Sequence, residues 1–329
     1  MTEWIDMSPW AGREDPEPNS LRWHQVIKPL PATAQAANMP AGIALLGFAC
    51  DAGVARNHGR VGAAAGPRAI RKALANLAWH QRSAAFDAGD VTSHPHGTDD
   101  GMESAQSRLG GRVAALLDAG HLPVVLGGGH EVAYGSWSGL ARHLENAASG
   151  KKAPVIGIIN LDAHFDLRNP LLTPGQRGSS GTPFAQIADE CERRGWSFRY
   201  ACLGVSRASN TAALFDRATE LGVLVREDRE ITAASLDAIG NELDAFVAGC
   251  DRIYLTIDLD VLPASEAPGV SAPAAHGVSL ALLEPLIVRV RDSHKLALVD
   301  LAELNPSFDM DGRTAKAAAR LIHQLTLDA

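Results

Sequence analysis

The chain reads as one α/β domain, three layers deep (α/β/α), with a mostly parallel central sheet. Two observations predict this fold. Short, uninterrupted apolar runs recur along the chain, and segments of helical composition separate them. A strand that is apolar at every position is covered on both faces, and alternating helices supply the long crossovers that parallel pairing needs. A third observation concerns the ends of the runs, several of which break into Asp, His or Glu. In open parallel sheets ligands bind beyond the carboxyl ends of the strands.

Residues 1–40 form an N-terminal arm rich in Pro, Trp and polar residues, with no regular pattern. Trp4, Trp10 and Trp23 predict that this arm packs onto the domain spanning 41–329. IALLGFACD, from Ile43, is the first buried strand. PRAIRKALANL follows, with Pro67 near the start and Ile70, Ala73, Leu74 and Leu77 on one helical face. The later strands are PVVLGGG, VIGIINLD, FRYACLGV, VLVRED, RIYLTIDLD and LALVDLAE. Between them lie helical segments such as SRLGGRVAALLDAG, TAALFDRATELG and SLDAIGNELDAFVAG. No internal repeat, low-complexity tract or linker follows the arm.

Composition narrows the partners. With 30 Lys and Arg against 38 Asp and Glu and no basic block, the net charge of -8 argues against nucleic acid or an anionic membrane as the main partner. Cys50, Cys191, Cys202 and Cys250 are scattered, as expected of reduced, buried thiols in a cytoplasmic protein. The acidic, proline-bearing start lacks the pattern of a signal peptide, and no window approaches the length of a membrane span.

The strand ends carry the chemistry. In VIGIINLDAHFD, alternate positions of an extended chain would bring Asp162, His164 and Asp166 to one point. RIYLTIDLD repeats that spacing with Asp258 and Asp260, His130 follows PVVLGGG, and Glu303 follows LALVD. One acidic strand end is ordinarily a helix cap. Four on one sheet edge point to a shared site, where uncompensated carboxylates would repel and raise one another's pKa values. Two divalent cations would neutralise them. A set of four Asp and two His without thiolate favours Mn²⁺, with Fe²⁺, Co²⁺ or Zn²⁺ able to substitute. Two such metals roughly 3.5–4 Å apart activate water for hydrolysis without a protein nucleophile.

Gly127–Gly129 do not continue into GxGxxG, because Val132 stands at the third glycine position. They are expected to let backbone pass close to the metals, with Glu131 as a first-turn carboxylate of the departing helix. SHPHGTDD, with His94 and His96, reads as an exposed polar loop.

GGGHE, DAHFD, TIDLDVLP and ELNP, supported by DAGDV at 87–91 and by Gly66–Pro67, occur in this order over most of the chain. Together they resemble the ureohydrolase, or arginase-like, family of dimanganese enzymes. The resemblance implies an arginase-like fold and two manganese ions per subunit. His130, Asp162, Asp166 and Asp258 would hold one; Asp162, His164, Asp258 and Asp260 would hold the other, with Asp162 and Asp258 bridging. Asp166 would also accept a hydrogen bond from a metal-bridging hydroxide and carry its proton to the leaving nitrogen. Glu303 would orient the nitrogen end of the substrate. Relatives commonly form trimers, hexamers or related assemblies, so a homo-oligomer is expected.

Two departures set the substrate. Where arginases carry Asn just beyond the DAH motif this chain has Arg168, and where they carry His-Gly it has Ser180-Gly181. With WAGRED, RWHQ and GVARNHGRVGAAAGPRAIR, these features resemble the formimidoylglutamases of histidine degradation. The implied reaction converts N-formimidoyl-L-glutamate and water to L-glutamate and formamide. That substrate is an acidic amidine, and Arg168 suits one of its carboxylates through a bidentate contact. Ser180, Asn57 and Arg60 are the other candidate substrate contacts. The alternatives are a guanidino-substrate ureohydrolase (agmatinase, arginase or guanidino-acid hydrolase) and a non-catalytic metal-binding relative.

Overall fold

The computed structural model describes residues 5–31, 39–148, 153–172 and 174–327. Nine strands form one sheet: β1 (Lys28–Pro29), β2 (Gly42–Ala49), β3 (Ala84–Thr92), β4 (Leu122–Leu126), β5 (Ile156–Leu161), β6 (Arg199–Val205), β7 (Leu224–Glu227), β8 (Arg252–Asp258) and β9 (Leu296–Ala302). Their spatial order is β1-β3-β2-β4-β9-β8-β5-β6-β7, and every neighbouring pair is parallel. The helices are α1 (Trp23–Val26), α2 (Ala52–Arg56), α3 (Gly66–Ala75), α4 (Met102–Asp118), α5 (Val132–Ala148), α6 (Pro183–Arg194), α7 (Ala212–Glu220), α8 (Leu236–Ala248), α9 (Leu280–Asp292) and α10 (Arg313–Leu325).

The three-layer arrangement follows from alternation within apolar strands. Leu45, Val124, Ile159, Leu255 and Val299 pack with residues of α3, α8, α9 and α10 on one face. Their neighbours Leu46, Val125, Ile158, Tyr254 and Leu298 pack with α4, α5 and α6 on the other. With both faces covered, no position in the central strands needs a polar side chain.

Two strands escape a reading based on apolar runs. β3 contains Asp87, Gly89 and Asp90, and β1 is only two residues long. Asp87 is fully buried, yet its charge is compensated. Arg71 of α3 meets it through Nε at 2.8 Å and Nη2 at 3.0 Å, and the indole Nε1 of Trp10 donates to it at 2.6 Å. The same contact anchors the arm, which is more regular than its sequence suggests. Trp23 in α1 is buried edge-on against Trp79, and β1 adds to the sheet beside β3, with Pro29 tolerated there because the strand is at the edge. Trp4 lies outside the described residues.

Removing one partner of a buried ion pair leaves an uncompensated charge, which costs about 3–5 kcal/mol. Arg71→Met is therefore expected to lower stability by that amount, read as a lower urea midpoint. A wild-type midpoint would show that the Arg71–Asp87 pair does not hold α3 to the sheet.

Candidate metal centre

The candidate ligands come from β4, β9, β8 and β5, which are adjacent in the middle of the sheet. Each of these strands ends on the same edge, so His130, Glu303, Asp258–Asp260 and Asp162–Asp166 meet although they are far apart in sequence. The convergence does not arise from an extended chain. β5 stops at Leu161, and the amide of His164 donates to Asp162 Oδ1 at 2.6 Å. Beyond β8 the amide of Asp260 donates to Asp258 Oδ1 at 2.8 Å. Both Asp-x-His/Asp steps are thus turns closed by the first Asp, a local bond that competes with strand continuation.

Asp166 and Glu303 have left-handed backbones, with φ of 48° and 70°. Non-glycine residues hold that conformation only where neighbours fix it. The Arg168 amide donates to Gly181 O at 3.0 Å, and the Glu303 amide donates to Gly128 O at 2.8 Å.

His130 Nδ1 lies 3.1 Å from Asp162 Oδ2, 2.9 Å from Asp166 Oδ2 and 3.2 Å from Asp258 Oδ2. His164 Nδ1 lies 3.0 Å from Asp260 Oδ2 and 3.5 Å from Asp162 Oδ1. Two ligand groups result, His130/Asp162/Asp166/Asp258 and Asp162/His164/Asp260, with Asp162 common to both. Asp258 falls in the first group. His130 is buried and its Nδ1 makes no hydrogen bond of proper geometry, although three carboxylate oxygens surround it. Its Nε2 is 3.0 Å from Thr256 Oγ1, which favours the tautomer that leaves Nδ1 free to ligate. A buried nitrogen aimed at hard oxygen donors fits a divalent cation of the manganese type.

Outer contacts fix the ligands. Asn160 Nδ2 donates to Asp162 Oδ2 at 2.9 Å and to Tyr200 Oη at 2.9 Å, and Tyr200 donates to Phe165 O at 3.0 Å. Glu303 Oε1 accepts the His130 amide at 2.9 Å, which places Glu303 against the first group.

Electrostatics reflect crowding. Burial, reinforced by the charge of Asp162, pushes the Asp166 carboxyl up to about 6. Burial pushes Glu303 up to about 8, with Glu131 adding to the effect. Asp258 and Asp260 are raised, again by burial first. Burial would raise Asp162 too, but His130 and His164 hold it below the usual carboxylate range. Both histidines rise well above the ordinary imidazole value; burial opposes this, and the carboxylates around them outweigh it.

The ligand groups open into a cavity of about 300 Å³ that is also lined by Asn57, Arg60, Arg168, Ser180 and Glu303. The two arginines differ. Arg60 directs its guanidinium to the carbonyls of Val270 and Ser271 and lies over the Phe308 ring at 4.1 Å, so it closes the rim. Arg168 is exposed, and its guanidinium meets no carboxylate among the described residues. Ser180 is buried. Asn57 follows α2 beside Arg168, since a Cβ on Gly181 would meet both side chains at 3.1–3.2 Å.

Sequence reasoning missed His58, Ser209, Asn210 and Ser271, which also line the cavity. Ser209 and Asn210 follow β6, so the strand-end rule extended to FRYACLGV would have found them. His58 stands between Asn57 and Arg60 in the segment after β2, and Ser271 stands in the segment between β8 and α9.

One expectation needs correction, that for Glu131, and one gains a second cause. The glycines after β4 also let backbone approach backbone: a Cβ on Gly128 would sit 1.8 Å from Cys50 O, and one on Gly127 would sit 2.5 Å from Leu301 O. Glu131 precedes α5 and serves a different helix, accepting the Gly53 amide in the first turn of α2 at 2.8 Å. Burial pushes its carboxyl up to about 7. SHPHGTDD is an exposed loop, and His94 and His96 stand away from the cavity.

The residue pattern of the Arginase family matches residues 41–327. A formimidoylglutamase of Aeromonas hydrophila is 57% identical over 323 residues, covering 98% of each chain. Among solved structures, a formiminoglutamase of Trypanosoma cruzi with Mn²⁺ superposes with a TM-score of 0.75 at 27% identity, covering 90% of this chain and 95% of that one. A formimidoylglutamase of Bacillus subtilis shares the fold at a TM-score of 0.80 and 23% identity, covering 96% and 94%.

Proposed function

The chain belongs to the arginase family, and from that membership we propose that it is a dimanganese formimidoylglutamase, hydrolysing N-formimidoyl-L-glutamate to L-glutamate and formamide. The observation that carries this reading is the pairing, within one cavity, of two carboxylate-imidazole groups with a guanidinium that meets no carboxylate among the described residues. Agmatine offers Arg168 no carboxylate and arginine offers one, whereas the acidic amidine offers two. The high identity to enzymes named formimidoylglutamase supports the same substrate.

His130, Asp162, Asp166 and Asp258 would hold one manganese, and Asp162, His164, Asp258 and Asp260 the other. When bound, the pair would lower the pKa of a water toward neutrality and polarise the substrate's amidine. The protein's own groups do the rest. Arg168 takes a substrate carboxylate in a bidentate contact, with Ser180 and Asn57 beside it, and Arg60 holds the rim. Glu303 accepts an N–H of the amidine and so turns its carbon toward the ligands. Asp166 can take a proton from the attacking water and return it to the departing glutamate nitrogen. Cleavage of that C–N bond leaves formamide and glutamate.

The same reading gives one catalytic domain at 41–329 with the arm at 1–40 packed against it, working as a cytoplasmic homo-oligomer. The four cysteines are free and buried, and no described helix is long and apolar enough to cross a membrane.

The test is a product assay of the manganese-loaded protein on formimidoylglutamate, arginine and agmatine. Glutamate release from the first is expected; urea from either of the others, with no glutamate, would establish the guanidino-substrate reading instead. Arg168→Met is expected to raise KM for formimidoylglutamate about ten- to a hundredfold, the value of a charged hydrogen-bonded contact, with manganese content unchanged. A KM at the wild-type level would remove Arg168 from substrate binding.

A further inference from the structure

Arg56, the last residue of α2, lies just outside the cavity with a side chain only 14% exposed. All five of its N–H donors are engaged. Nε and Nη2 hold Asp100 at 2.8 and 2.6 Å, Nη1 and Nη2 hold Glu103 at 2.7 and 2.9 Å, and Nη1 also donates to Gly178 O at 2.8 Å. Few side chains can make such a node, because only a guanidinium presents five donors in a fixed plane. The acidic residues it meets are thereby neutralised, with Arg177 meeting the same Asp100 and Glu103.

The three elements joined here matter for their neighbours. Asn57 follows Arg56 directly and lines the cavity. Gly178 stands two residues before Ser180, and Gly181 packs between Asn57 and Arg168. Glu103 stands in the first turn of α4 and Asp100 just before that helix, whose buried face is in the fixed core. The node therefore ties both segments of the anion-binding rim to a rigid helix, while touching none of the metal ligands.

Resting on the formimidoylglutamase reading, we propose that Arg56 is a positioning residue that sets where Arg168, Ser180 and Asn57 stand, and thereby the affinity for the acidic end of the substrate. Displacing groups that hold a substrate by ~1 Å costs up to about a hundredfold. The cost falls on binding, because the metal ligands are anchored separately through Asn160, Thr256 and the strand ends.

The test is steady-state kinetics and manganese analysis of the full-length Arg56→Met and Arg56→Lys proteins loaded with manganese. Both are expected to show KM raised about tenfold or more with kcat within about threefold of wild type and unchanged manganese per subunit. Lysine, which keeps the charge without the planar fork, is not expected to rescue. Wild-type KM in both variants, or a loss of kcat and manganese at constant KM, would overturn the proposal. If Arg56→Met does not accumulate folded, Glu103→Gln is the second variant: it is expected to raise KM less but in the same direction, and no change would equally overturn the proposal. Wild-type protein inactive on formimidoylglutamate would count against the substrate assignment alone, since the node is then read from KM for whichever substrate is turned over.

Discussion

Replacing Asp162 by Asn is expected to strip both manganese ions and to lower kcat by about a thousandfold or more, with the fold retained. Asp162 belongs to both ligand groups, with Oδ2 facing His130 Nδ1 and Oδ1 facing His164 Nδ1. Asparagine keeps the shape but removes the negative charge and one acceptor oxygen. Changing a residue that merely orients a ligand already costs about 10- to 100-fold in metal affinity. Loss of a shared ligand acts on two ions at once, and with them goes the acidified water on which attack depends. The fold survives because removing one carboxylate from a crowded group leaves less repulsion, and the strands on either side are held by apolar packing. Metal analysis and turnover together decide the matter: a variant retaining two manganese equivalents and near-wild-type kcat would exclude Asp162 as the shared ligand.

The contrast with Arg168→Met separates two parts of the cavity. One change empties the metal centre at unaltered rim; the other weakens the rim at unaltered metal content. Their separation has a structural origin. The candidate ligands sit on neighbouring strand ends in the sheet's centre, whereas Arg168, Ser180 and Asn57 sit on connecting loops.

That division also explains what could be read from the sequence. Strand ends announce themselves, because an apolar run such as VIGIINLD stops visibly at Asp162, and the parallel order brings distant ends together by rule. β3 was hidden because its burial depends on a partner, Arg71, that lies on another element. Glu131 stands beside a ligand and at the head of α5, yet its bond goes to α2, a contact no local pattern encodes. Arg56 looks like any surface arginine until Asp100, Glu103 and Gly178 are brought round it. Periodicity reports burial against solvent, whereas polar partners across loops are fixed only by tertiary structure.

The second large effect is a manganese dependence of stability that grows with pH. In the metal-free protein the Asp166 carboxyl moves from 3.8 to about 6, Glu131 from 4.5 to about 7 and Glu303 from 4.5 to about 8. Raised acids bind protons more tightly in the folded than in the unfolded chain. Their stabilisation is complete below about pH 4 and disappears as pH rises through 6, 7 and 8. His130 and His164, raised as well, extend the same loss to higher pH. Asp162, held low, has the opposite sign: its contribution is present above its unfolded value of 3.8 and is lost only in stronger acid. The metal-free protein should thus be most stable in mild acid and weaken steadily toward pH 8.5. Manganese reverses this trend, since it binds deprotonated ligands and only the folded state assembles them. Two sites, each saturated at a hundred times its Kd, add about 5 kcal/mol. In a chain of 329 residues that is a rise in Tm of roughly 5–10 °C. Thermal unfolding of chelator-treated and manganese-loaded protein should give a Tm gap that widens between pH 5 and 8.5. A gap that is constant or narrows would mean that the buried carboxylates and imidazoles do not give up protons to the metals, which is incompatible with their acting as the ligands.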